Sequence, residues 1–140
     1  MTKLEELKSK HAELKTQILE ESKAFFKSES AHLFQSNPSL ESFSWKQYTP
    51  YFNDGEECVF SANTDYVRIN DVEDSEWASR KTLFGGKENK DYDPVISEIY
   101  PQVKEFLKNF DDETMKEMFG DHCQITVTRD EVKVDGYDHD

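Results

Sequence analysis

The sequence predicts an α+β fold, and three observations predict it. Apolar residues recur at three- and four-residue spacing from residue 3 to about 35, with no proline or glycine to interrupt them. Short alternating runs at 43–49, 58–69 and 123–136 are bounded by the Asn, Asp and Gly residues of tight turns. Helical spacing then returns over 95–110. A chain of 140 residues fits a single domain. The expected division is an N-terminal helix over 1–36 and one α+β unit over 37–140, the latter with an antiparallel sheet of hairpins, two central helices and a closing hairpin.

In the first helix, Leu4, Leu7, His11, Leu14 and Ile18 follow an a/d stripe, with Lys and Glu on the other faces. The stripe fails at Glu21 and Ser28, after which Phe25, Phe26, Leu33 and Phe34 make a broader apolar face. Residues 4–18 thus read as a narrow oligomerisation seam, to be covered by a partner chain or by the domain's own second helix. His11 reads as a register-setting residue or a solvated seam-edge histidine. Asn37-Pro38 stops the helix.

Phe43 to Thr49 alternates as a strand, Thr49-Pro50 breaks it, and Asn53-Asp54-Gly55 supplies a turn. Cys58 to Ile69 reads as a hairpin turning at Asn63-Thr64, with Phe60 opposite Val67 and Cys58 opposite Ile69. Residues 77–93 read as irregular, with Gly85-Gly86 as a flexible point. Asp93-Pro94 is a cap and first-turn pair. Val95 to Phe110 keeps helical spacing, with Pro101 implying a kink or two abutting segments. Asp111 caps a short helix bearing Met115, Met118 and Phe119 and closed by Gly120. The last hairpin joins Cys123–Thr128 to Val132–Gly136, and a turn at Asp130-Glu131 would set Val127 opposite Val134.

The net charge is −13 and unevenly spread. Residues 1–40 balance six Lys against six Glu, whereas 54–76 carry eight acids and one Arg. Residues 77–90 reverse the sign with Arg80, Lys81, Lys87 and Lys90. An acidic excess disfavours nonspecific nucleic-acid binding, which needs Lys and Arg to neutralise phosphates. No apolar run reaches membrane-span length, and the N-terminus lacks an apolar h-region. A cytoplasmic protein with Cys58 and Cys123 as reduced, buried thiols is expected.

Two boxes are specific: "WKQYTPYFNDGEECVF" at Trp45–Phe60, and the threonine-rich end from His122 to His139 with its Tyr-Asp-His close. On these the chain resembles a widespread family of small acidic uncharacterised proteins of bacteria and phages, over roughly residues 43–140. The family's Asp-Gly in the final turn is replaced here by Asp130-Glu131. The resemblance implies a shared fold and supplies no activity, cofactor or catalytic residue.

No metal site, cofactor or catalytic residue is expected. The metal spacings C-x₂-C, H-x₃-H and H-E-x-x-H are missing, as is a Gly-x-Ser-x-Gly elbow. The stretch "RKTLFGGK" offers glycine N–H groups and cations to an anion but lacks the Lys-Ser/Thr of a Walker loop. A flexible loop whose cations balance neighbouring acids explains it as well. Most of the aromatic box is explained as core and turn. Its polar-aromatic part, Trp45, Gln47, Tyr48 and Asn53, could stack a base and bond its edge. With Arg80, Lys81 and Lys87 it makes the candidate ligand site. The expected protein is a non-enzymatic homo-oligomer, phage-encoded, sequestering an anionic nucleotide signal of host defence. The alternatives are an acidic inhibitor that mimics nucleic acid and binds a basic host protein, or a small interaction protein with no small ligand.

Overall fold

The computed structural model describes residues 2–50 and 59–136. Its element order is α1 (Lys3–Ser36), β1 (Ser42–Tyr48), β2 (Ser61–Ala62), a 3₁₀ turn (Thr64–Tyr66), β3 (Arg68–Ile69), α2 (Ser75–Ala78), α3 (Pro94–Leu107), α4 (Asp112–Phe119), β4 (Cys123–Thr128) and β5 (Val132–Gly136). The fold is α+β, as the patterning implies. The antiparallel sheet runs β2-β1-β4-β5, with β3 also pairing β1.

Each helix begins on a side-chain cap. Thr2 accepts from Glu5 N–H, Asp93 from Val95 and Ile96, and Asp111 from Thr114. Gly120 closes α4 at φ +98°, a conformation that a Cβ disfavours. α3 is one uninterrupted helix through Pro101, not two segments. Its buried face (Ile96, Ile99, Tyr100, Val103, Phe106 and Leu107) holds both halves, while Pro101 lies on the exposed side.

The core lies between one sheet face and the helices. Phe43 and Trp45 of β1 point into it, beside Ile125 and Val127 of β4. Phe34 of α1 stacks on Phe43, and Phe119 of α4 meets Trp45 edge-on. Only the last third of α1 joins this core, through Phe26, Ser30 and Phe34.

The expected hairpin over 58–69 does not form in the described residues. β2 and β3 do not pair with each other. Both lie antiparallel along one edge of β1, with Gln47 opposite Ala62 and Phe43 opposite Ile69. They are two pieces of a broken edge strand, and the five residues 63–67 are inserted opposite only two of β1, Trp45 and Lys46. Asn70, at φ 52°, anchors the lower piece. Its Oδ1 accepts from Glu41 and Ser42 N–H, and its N–H donates to the Ser42 carbonyl. The partner choice is non-local, so alternation within 58–69 could not report it.

The final hairpin forms with a different turn. Val127 pairs with Val132 and Ile125 with Val134, which centres the turn on Arg129-Asp130 instead of Asp130-Glu131. Turning there sends Arg129 to the end of α1. Its guanidinium donates to the carbonyls of Phe34 (2.9 Å), Asn37 (3.3 Å), Pro38 (2.8 Å) and Leu40 (2.9 Å). The cation thus satisfies the carbonyls left open where a helix stops.

Residues 77–93 are more ordered than the sequence implies. α2 is capped by Asp74, and a single bridge pairs Thr82 with Glu88. Asn89 is buried, and its amide donates to the carbonyls of Trp77 and Arg80.

Candidate functional site

The alternation of β1 divides the aromatic box. Phe43, Trp45 and Gln47 face the helices, whereas Ser44, Lys46 and Tyr48 face outward. Opposite Lys46 on β4 is Gln124, and opposite Ser44 on β3 is Arg68. Asn63 and Tyr66 come from the bulge between β2 and β3, and Glu73 from the turn after β3. These groups line a pocket of about 310 Å³ on the outer face of the sheet. Two phenols, two cations and two amides share it with one carboxylate.

The walls are held from behind. Tyr100 of α3 donates its hydroxyl to the Asp65 carbonyl at 2.8 Å, fixing the bulge. Burial first, then the carboxylates of Glu76 and Asp65, push that phenol up to about 12, so it remains a donor at any physiological pH. Lys104 bonds Asp65 at 3.3 Å from the same side. Arg68 is only loosely paired, at 3.9 Å from Asp71 and 3.8 Å from Glu73, and both acids are largely exposed. Such pairs contribute little and are screened by salt, so the guanidinium can exchange them for a better anion.

The residues expected to form the site are not all brought together. Tyr48 lies in the pocket. Trp45 also borders it, although its side chain is only 2% exposed and packs in the core, whereas Gln47 is 0% exposed and does not line the pocket. The Trp45 indole donates to Gln47 Oε1 at 3.1 Å. The Gln47 amide donates to the carbonyls of Met115 (3.0 Å) and Gly120 (2.7 Å). Its polarity is spent inside the fold. Asn53 lies outside the described residues, with Tyr51, Phe52, Asp54, Gly55 and Cys58. Arg80, Lys81 and Lys87 are exposed on the α2–α3 connection and line no part of the pocket. Arg80 instead pairs with Glu76 at 2.7 Å. The cations of the pocket are Lys46 and Arg68. Lys46 was detectable by its strand parity with Tyr48. Arg68 is hidden in the sequence as one cation within an acidic run.

Beside the pocket, Asp121 clasps the end of β1. Its carboxylate accepts from Thr49 N–H (2.9 Å), the Thr49 hydroxyl (2.7 Å) and His122 N–H (2.8 Å). Burial works to raise this carboxyl. The bonds from Thr49 and His122, with the His122 charge, together outweigh burial and hold it below the usual carboxylate range. A depressed native pKa stabilises the fold above the unfolded value of about 4, and that contribution is lost as pH falls through the native value. Asp121→Asn should therefore be less stable than the parent at neutral pH, with the gap closing on acidification below about pH 4. Urea midpoints of both proteins across that range check it, and parallel curves would refute it.

Cys123 begins β4 with its thiol buried, directed at the carbonyls of Phe119 (3.5 Å) and Gly120 (3.4 Å). Burial, then the Asp121 charge, push it up, the opposite of what a nucleophile needs. Among the described residues no group of His, Cys, Asp and Glu is arranged to hold a metal ion, and no helix is long and apolar enough to cross a membrane. No family model, curated protein or solved structure matches the chain.

Proposed function

We propose that this is a non-enzymatic binding protein whose outer-sheet pocket takes a small anionic ligand with a planar ring, of the nucleotide class. The observation that carries the reading is the convergence of Tyr48, Tyr66, Lys46 and Arg68 on one cavity in a chain of net charge −13. Phenol faces stack on bases of any identity. A guanidinium and an ammonium meet phosphate oxygens. Asn63 and Gln124 offer both donors and acceptors to a base edge, and Glu73 accepts from an amino or hydroxyl group. Binding without turnover suits sequestration of a nucleotide signal.

Calorimetric titration against cyclic dinucleotides, cyclic trinucleotides and ADP-ribose derivatives tests this. Arg68→Glu should abolish binding, and Tyr48→Ala should weaken it by about 1–3 kcal/mol. Arg80→Glu with Lys81→Glu should leave it unchanged, because those cations lie outside the cavity. Failure of the whole panel, or full affinity in Arg68→Glu, would remove the reading.

A second reading has its own support. Glu73 lines the cavity, and Asp71 pairs with Arg68 of its wall, with side chains 89% and 86% exposed. An acidic rim of this kind suits a basic protein surface. Such binding would collapse with rising ionic strength and would need no small ligand.

A further inference from the structure

The first half of α1 stands outside the core with an apolar stripe on one side. Leu4, Leu7, Leu14 and Ile18 are 61%, 54%, 59% and 58% exposed. The domain's own helices leave this stripe open. α4 touches only its border, where Lys15 Nζ meets Glu113 at 3.4 Å and Glu117 at 3.5 Å. A cleft of about 310 Å³ remains between the stripe and α4, floored by Leu14, Ile18 and Leu19.

The charges beside the stripe decide what can cover it. With Leu4, His11 and Ile18 at a and Leu7 and Leu14 at d, the g positions hold Lys3, Lys10 and Gln17, and the e positions hold Lys8 and Lys15. The acids Glu5, Glu6, Glu13 and Glu20 fall at b and c, away from the seam. A second copy would bring lysines against lysines in either orientation. Parallel pairing sets g against e, antiparallel pairing sets like against like, and every ionic contact is repulsive. The fold already shows what this border accepts, since Lys15 is met by the two glutamates of α4.

We infer that residues 3–18 are a docking surface for an amphipathic helix with acidic flanks, supplied by a different protein and not by a second copy of this chain. The partner presents Leu-like residues at a and d to the stripe and Glu or Asp at e and g to Lys3, Lys8, Lys10 and Lys15. Apolar burial provides the attraction, and the flanks choose the partner.

The test uses the full chain and two synthetic three-heptad peptides with Leu at a and d, one carrying Glu and the other Lys at e and g. Fluorescence anisotropy should show binding of the Glu peptide and not of the Lys peptide, and native mass spectrometry should show the protein alone as a single chain. Leu7→Asp with Leu14→Asp should cost roughly tenfold or more in affinity. Lys8→Glu with Lys10→Glu, which leaves two lysines and two glutamates beside the stripe, should abolish the parent's preference between the peptides without removing the stripe. A parent dimer that Leu7→Asp with Leu14→Asp dissociates would overturn the inference and assign the seam to self-association. Failure of the Glu peptide to bind, or equal binding of both peptides, would overturn it as well.

Discussion

Replacing Gln47 by leucine should lower the stability of the fold by about 2–4 kcal/mol, although leucine fits the volume and adds apolar surface. The side chain is completely buried and uses both ends of its amide. Nε2 donates to two carbonyls of the α4 region, and Oε1 accepts the Trp45 indole N–H. Leucine would strand that indole N–H inside the core, where an unmade hydrogen bond costs about 1–3 kcal/mol. It would also release the Gly120 carbonyl, whose short 2.7 Å bond ties the end of α4 to the sheet. Gln47→Met, closer in shape, should lose a similar amount, because the defect is polar and not steric. Equilibrium urea unfolding of the three proteins is the measurement. A leucine variant of parental stability that has lost ligand affinity would return Gln47 to the binding site. A destabilised variant keeps it in the core.

The difference between Gln47 and Tyr48 shows what a sequence can and cannot disclose here. Each is a polar group within an aromatic run, and each reads equally well as core or as ligand contact. Strand parity separates them only when the face that meets the helices is known. That face is set by rings of other elements, Phe26 of α1, Phe106 of α3 and Phe119 of α4, the last two more than 60 residues from the β1 rings they meet. Local signals were legible. The first helix, expected over 3 to about 35, spans Lys3–Ser36. The caps at Asp93 and Asp111 and the stop at Gly120 fall where capping chemistry puts them. Non-local choices were not legible. Shifting the last turn by one residue moves the register by two and keeps every side chain on its face, so the apolar pattern is blind to it. The observed turn places Arg129 on the α1 carbonyls, an attachment 95 residues away. The broken edge strand is the same kind of choice, made by β1 and Asn70 and not by residues 58–69. Arg68 follows from it, because only that pairing puts a cation from an acidic stretch beside Ser44 and Tyr48.

Phe26→Ala should have the largest effect of any single truncation in α1, about 3–5 kcal/mol. Phe26 is 4% exposed and lies where four elements meet. Its ring centroid is 5.1 Å from Phe106 of α3, 5.3 Å from Phe119 of α4, 5.5 Å from Phe110 and 6.2 Å from Trp45 of β1. Removing the ring opens a cavity bounded by rigid aromatic rings, which cannot collapse to fill it. The location matters as much as the area. α1 is 34 residues long, roughly 51 Å by helix geometry. Its only fully buried residues are Phe26, Ser30 and Phe34. The segment before Phe26 is otherwise held only at its border, by Phe25 against Phe110 and by Lys15 on Glu113 and Glu117, and helices in proteins owe most of their stability to packing. The loss should therefore appear first as faster amide exchange over residues 3–25, before the sheet is affected, and then as a lower unfolding midpoint. Phe25→Ala is the control, since that ring is 42% exposed and touches only the edge of the cluster through Phe110. It should cost well under half as much. Equal losses at both positions would mean that α1 is held by its whole length, by contacts on the exposed stripe that a single chain does not make.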